Sequence, residues 1–307
     1  MSLRSQTRRQ TRMSAPPKLW GASRLLGGVA VGVLAGLPSL AWAGSFAAGV
    51  VSYTPGGSDP NFQTPAAALG APDGISGENA AATNYFGFPN VLSPFSPAYQ
   101  GDEVVQIGEG GQLTLRLANF VNVGAGKRLG VISNVGLQDS PSFNGQNLSP
   151  AATFGGGVAR VKVSQDNVNW VDLGNVTFNV PSLYYVNAGP YDASAPASPQ
   201  LTDFGKPFEG TLASFDGKDF AGTVDAFKVA AGGYSGGGTW LDLSSSGLAQ
   251  VGYVQFLVPD DGDPLTVNRF AIDSVSIANG AVGAATPEPG SLALIGLSVL
   301  VLRRKGR

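Results

Sequence analysis

The chain contains no His and no Cys in 307 residues. Without His there is no Ser-His-Asp triad and no His-ligated metal. Without Cys there are no disulfides, thiolate nucleophiles, iron–sulfur clusters or structural zinc sites. Chemistry is therefore left to carboxylates, hydroxyls, amides, Lys, Arg and Tyr. Charge is also sparse: Asp, Glu, Lys and Arg make up 13 % of residues. Gly and Pro are abundant at 44 and 21 residues, while 43 % of the chain is hydrophobic. That combination suits a turn-rich all-β protein better than a disordered one.

The formal net charge of −2 conceals three unlike parts. Residues 1–43 carry six basic side chains (Arg4, Arg8, Arg9, Arg12, Lys18, Arg24) and no acid. Residues 303–307 carry four more basic side chains. Removing these from the 19 basic residues leaves nine in the body, against 20 acids once Glu288 is set aside. The body is thus near −11. An anionic body argues against nucleic acid and anionic lipid as partners. It suits solubility outside the cell and cation binding.

The N-terminal part has the layout of a secretory signal peptide. A basic stretch precedes an apolar stretch from Leu25 to Leu37, then Pro38 and Ala41-Trp42-Ala43. Small residues at Ala41 and Ala43 predict cleavage by signal peptidase before Gly44. Met13 is an alternative start, and an uncleaved membrane anchor is the competing reading. The C-terminal part (284–307) has Pro287-Glu288-Pro289, an apolar run Leu292–Leu302, and Arg303, Arg304, Lys305 and Arg307. A helix over that run spans about 16–20 Å. A bilayer core is about 30 Å thick, so the run is short for a permanent span. The basic end predicts a cytoplasmic terminus.

These three parts, in that order at the extreme C-terminus, resemble the PEP-CTERM sorting signal of Gram-negative bacteria that make extracellular polysaccharide. The resemblance implies transient inner-membrane insertion through the short helix. It also implies processing near Pro287–Pro289 by an exosortase-type enzyme, then display at the cell surface or release into the extracellular, biofilm-type matrix. It concerns the address of the protein and leaves the body (44–283) to be read separately.

Within the body, apolar residues alternate with period two between Gly, Pro, Asn and Asp signals. Gln112–Leu117 places Leu113, Leu115 and Leu117 on one face. Val158–Val163, Val251–Val258 and Arg269–Ile277 are equally clear strands. Shorter expected strands are 46–53, 103–107, 128–135, 169–173, 176–180, 226–229 and 239–243. About ten strands in roughly 240 residues predict an all-β fold, a β-sandwich with one core. The expected helices are the signal segment and the short C-terminal one. Residues 136–153 and 181–207 are expected to be long surface loops, and 232–238 a flexible Gly-rich loop. In Val163-Ser-Gln-Asp-Asn-Val-Asn-Trp170, an Asp166-Asn167 turn is expected to join two strands.

Several of these pieces also occur in a recognisable order. Val51-Ser-Tyr-Thr-Pro-Gly56, Ala67–Pro72, Glu103–Leu115, Ala159–Gly174 and Phe270-Ala-Ile-Asp-Ser-Val275 follow one another. The order resembles bacterial cell-surface proteins with a discoidin-like (galactose-binding-like) domain, which implies a jelly-roll sandwich. Members of that family often carry an Asp-x-Asp pair in the last strand. Here the place reads Ala271-Ile272-Asp273, with a single Asp.

Three constellations bear on function. Asp260, Asp261 and Asp263 share a Gly-containing loop, and with Asp273 they are candidate oxygen ligands for Ca²⁺; a solvated turn is the plainer reading. Glu78, Asp102, Glu103 and Glu109 are the carboxylates from which a glycosidase pair could be drawn. No catalytic motif accompanies them, and the chain reads as a non-enzyme. Aromatics crowd two loop regions: Tyr85, Phe86, Phe88, Phe95 and Tyr99 in one, and Tyr184, Tyr185 and Tyr191 in the other. Exposed rings bind the apolar faces of sugars, so Tyr85, Phe88, Tyr184 and Tyr185 are candidate ligand contacts. The expected function is non-catalytic polysaccharide binding or a structural role in the matrix. The alternatives are a secreted carboxylate-based hydrolase and a Ca²⁺-stabilised adhesin.

Overall fold

The computed structural model describes residues 45–72, 74–76, 91–260, 262 and 268–286. The expected signal segment (1–43) and residues 287–307 of the expected sorting tail, and with them both expected terminal helices, lie outside the described residues. What is described is an all-β fold of antiparallel sheets with no closed barrel.

The strands are β1 (Ala47–Thr54), β2 (Val105–Gly108), β3 (Gln112–Asn122), β4 (Lys127–Ser133), β5 (Gly136–Leu137) and β6 (Thr153–Phe154). They continue with β7 (Gly157–Ser164), β8 (Trp170–Phe178), β9 (Thr239–Asp242), β10 (Gln250–Leu257), β11 (Arg269–Ile277) and β12 (Val282–Ala285). One sheet runs β1-β3-β10-β7-β8, and β12 joins the edge of β3 beyond the point where β1 leaves it. A second sheet runs β2-β11-β4-β9, and β5 pairs with β6 alone.

The alternation seen in the sequence becomes rows of side chains across the larger sheet. Leu115 pairs with Val50 on one side and Val254 on the other, and Val254 pairs with Val163. Leu113, Phe256 and Val161 form the next such row. These side chains are fully buried apart from Val50, and they join Ile107, Leu129, Val131, Ile272, Val275 and Ile277 of the second sheet in one core. Each fully buried large apolar side chain contributes about 1.5–3 kcal/mol. At one end Phe178 of β8 stacks on Phe270 of β11, with ring centroids 4.2 Å apart, and Phe256 meets Phe178 edge-on.

Core residues on β11 switch parity, from Phe270 and Ile272 to Val275 and Ile277. A register irregularity between Ile272 and Ser274 accounts for the switch. The strand is buried on both faces. Its outer side is covered by Leu92, Ala98 and Val104 against Ala271, and that of neighbouring β4 by Phe46 and Phe204 against Ile132.

Several expectations are corrected. Residues 169–173 and 176–180 form one continuous strand, β8, because Asn175 pairs with Arg160 without leaving the ladder. Residues 226–229 are not a strand. Ala226 ends a short helix, α1 (Phe220–Ala226), and 227–229 follow it; the first turn of the helix is capped by the Asp219 carboxylate accepting from Gly222 N. That local cap outweighs the β preference of Val224 and Phe227. The expected loop 136–153 contains β5 and begins the β5–β6 pair. At the C-terminal end of the described residues, β12 covers Val282–Ala285 and Thr286 is buried, donating its N–H to Ala118 O.

The Gly-rich stretch 232–238 is packed in its second half. Ser235 is fully buried, its hydroxyl donates to Lys206 O, and Gly237 N donates to the Ser235 hydroxyl.

The β7–β8 hairpin turns at Asp166-Asn167, with Asn167 at φ 60°. The Asp166 carboxylate accepts from Asn169 N at 2.8 Å, Val168 N at 2.9 Å and the Asn169 side-chain amide at 2.8 Å. These donors, the Asn169 backbone first, hold the carboxyl well below its usual 3.8. The depressed folded-state pKa means the turn's contribution is present above 3.8 and is lost as pH falls through the lower folded value. An NMR titration of the carboxyl carbon is expected to place Asp166 well under 3.8; a midpoint at or above that value would show that the amides do not hold it.

Candidate ligand-binding cleft

Three loop segments meet beside the β5–β6 pair. The first, 91–99, is fixed by Val91 N donating to Asp192 O and by the Ser93 hydroxyl donating to Pro190 O at 2.6 Å. The Ser93 oxygen also accepts from Phe95 N and Ser96 N, which tightens the turn carrying Phe95. Leu137 N donates to Pro94 O at 2.7 Å and ties this segment to β5.

The second segment, 138–147, is organised around Asp139. Its carboxylate accepts from Gly145 N at 2.7 Å, Gln146 N at 2.9 Å and the Tyr191 hydroxyl at 2.7 Å. Ser140 N donates to Gln146 O, closing the loop and leaving Phe143 near its tip. Phe143 is at φ 48°, a left-handed conformation costing a non-Gly residue about 1–2 kcal/mol. Yet its ring is 64 % exposed. No burial compensates for that strain, so the ring is displayed at a cost the loop's own hydrogen bonds must cover. Tyr191 belongs to the third segment. Burial, then its bond to Asp139 and the charge there, raises its pKa, so it remains a neutral hydrogen-bond donor.

Between the segments lies a cleft of about 420 Å³. Phe95, Tyr99, Phe143, Phe154 and Tyr191 supply its aromatic lining. Tyr99 is 54 % exposed and Phe154 45 %. Among the described residues, the exposed aromatic side chains are Tyr99, Phe143 and Phe154, and all three line this cleft. Phe62 supports Tyr99 edge-on at 6.1 Å, and Phe95 packs on Tyr191 at the same distance. The volume is in the range of small-ligand sites.

The sequence-predicted residues fall in several places. Tyr184 is half-buried and wedges between the two small clusters that cover the second sheet. Tyr185 packs edge-on against it at 4.8 Å. Neither lines the cleft. Tyr85 and Phe88 lie outside the described residues, as do Asp261, Asp263, Pro287, Glu288, Pro289, Ala41, Ala43 and Gly44. Asp260 is exposed and accepts from Gly262 N at 2.9 Å, closing a turn on itself. Asp273 is buried at the β11 irregularity, about 13 Å along the strand from Arg269. Among the described residues no group of three or more carboxylates comes together to hold a metal ion.

Of the carboxylates weighed for catalysis, Glu78 is outside the described residues. Asp102 and Glu103 precede β2 and Glu109 follows it. β2 therefore separates Asp102 and Glu103 from Glu109 along the chain. The Glu109 carboxylate accepts instead from the Asn268 side chain at 3.1 Å.

Phe143 and Phe154 escaped the sequence reading. The signal for Phe143 was present: it is a single Phe inside Asp139-Ser-Pro-Ser-Phe-Asn-Gly145, a turn-forming stretch with no apolar periodicity to bury it. No family model matches the chain, and no curated protein is significantly similar to it.

Proposed function

We propose that the protein is an exported cell-surface or matrix protein whose β-sandwich, of jelly-roll type, binds polysaccharide without catalysis. The observation carrying the binding reading is the convergence of Tyr99, Phe143 and Phe154, the exposed rings of the described surface, on one cleft. Flat apolar rings beside polar groups match the alternating C–H and O–H faces of a sugar. The strained display of Phe143 favours a binding role over a packing one. Export and sorting rest on the basic–apolar–small N-terminus and on the Pro-Glu-Pro, apolar, basic C-terminus. In this reading signal peptidase and an exosortase-type enzyme act on the protein, which is their substrate.

Binding is tested with the purified protein on a panel of glycans that includes the host's own polymer. Phe143→Ala is expected to weaken binding about 10-fold, or about 1.4 kcal/mol. That corresponds to losing roughly 60 Å² of apolar contact at about 25 cal/mol per Å². Failure of the wild type to bind any glycan would leave a purely structural role. For sorting, Pro287→Ala combined with Pro289→Ala is expected to accumulate an unprocessed, membrane-associated form on immunoblots of cell fractions. Normal processing of the double variant would refute the sorting reading.

A further inference from the structure

We infer that the cleft selects uncharged sugars, neutral hexose or N-acetylhexosamine units, and rejects uronate or sulfated polymers. The inference rests on the carbohydrate reading and concerns the same site. The cleft is walled by aromatic and aliphatic side chains together with Ser96, Gln138 and Asp139. Among the described residues, no Lys or Arg lines it. Recognition of a carboxylate or sulfate in a partly dry site relies on charge-assisted donors, Arg above all. Among the described lining residues the single formal charge is that of Asp139, and it has the wrong sign.

Asp139 is also committed. Its two oxygens take three hydrogen bonds from Gly145 N, Gln146 N and the Tyr191 hydroxyl. It therefore acts as a positioning residue, holding the loop that displays Phe143 and orienting Tyr191. It has little capacity left to coordinate a cation that might bridge to an acidic sugar. The polar group presented toward a ligand is instead the exposed Gln138 amide, whose nitrogen donates to Thr153 O at 3.2 Å. An amide offers neutral donor and acceptor capacity suited to hydroxyls and acetamido groups. Beyond the walls, a body near −11 repels a polyanion before contact.

The test uses the full-length protein and two oligosaccharides of equal length, a neutral glucan and its C6-oxidised uronate form. Affinities are measured by calorimetry at low and high salt. The neutral oligomer is expected to bind at least 10-fold tighter at low salt. The gap should narrow at high salt, because part of the discrimination is long-range repulsion. Gln138→Lys, an exposed substitution, is expected to improve uronate binding several-fold. Equal affinity, or preference for the uronate, overturns the inference while leaving the carbohydrate reading intact. Binding of neither, in a panel extended to N-acetylhexosamine oligomers, overturns the carbohydrate reading and the inference with it.

Discussion

Phe178→Ala is expected to lower unfolding free energy by about 3–5 kcal/mol. Phe178 is the last residue of β8, at the edge of the larger sheet, yet it is fully buried. Its ring stacks on Phe270 of the opposite sheet at 4.2 Å and meets Phe256 at 6.1 Å. One side chain thus ties both sheets and two other rings together. Truncation removes the ring's transfer free energy and leaves a void that neighbours on rigid strands cannot close. The aromatic contacts themselves add about 0.5–1.5 kcal/mol beyond buried area. Phe178→Leu should retain more than half of the lost stability, since most of the volume is kept. Chemical denaturation of the two variants checks both values. A loss under about 1 kcal/mol in the Ala variant would mean the sheets are not joined at this point.

Gly237→Ala is expected to cost roughly 3 kcal/mol, through backbone strain and steric collision together. Gly237 lies at φ +82°, and an added Cβ would stand 2.3 Å from Pro181 O and 2.7 Å from the Phe227 ring. Pro181 O already accepts from Gly238 N, and Phe227 is packed between Phe208 and Phe215, so neither neighbour yields cheaply. Gly232 is the control within the same loop. It is at φ +85° with nothing near its Cβ position, so Gly232→Ala should cost only the αL strain of about 1 kcal/mol. Thermal melts of the two variants should differ clearly. Equal shifts would mean that Pro181 and Phe227 move aside freely.

Residues Asp219 and Thr223 show why some local signals mislead. Val224, Phe227 and Val229 carry β propensity, yet the Asp219 cap and the Thr223 hydroxyl bond to Asp219 O start a short helix that takes in Val224 and ends just before Phe227. Tyr184 and Phe143 show the same limit for the site. Both are aromatics in polar, turn-rich segments. Tyr184 is drawn down onto Phe204 and Ala271 because the second sheet leaves an apolar outer face to cover. Phe143 has no such face beneath it and stays exposed.

By itself the sequence determined the all-β class, the complete span of β11, the Leu113-Leu115-Leu117 face of β3 and the turn at Asp166-Asn167. Each of these rests on period-two alternation or on turn chemistry within a few residues, which any short window of the chain contains. Tertiary structure alone decided that β8 is one strand and that β11 is buried on both faces. It alone brought together a cleft from residues as far apart in the chain as Phe95 and Tyr191. Whether a ring packs or faces solvent depends on what long-range folding places beneath it, and no local pattern encodes that surface.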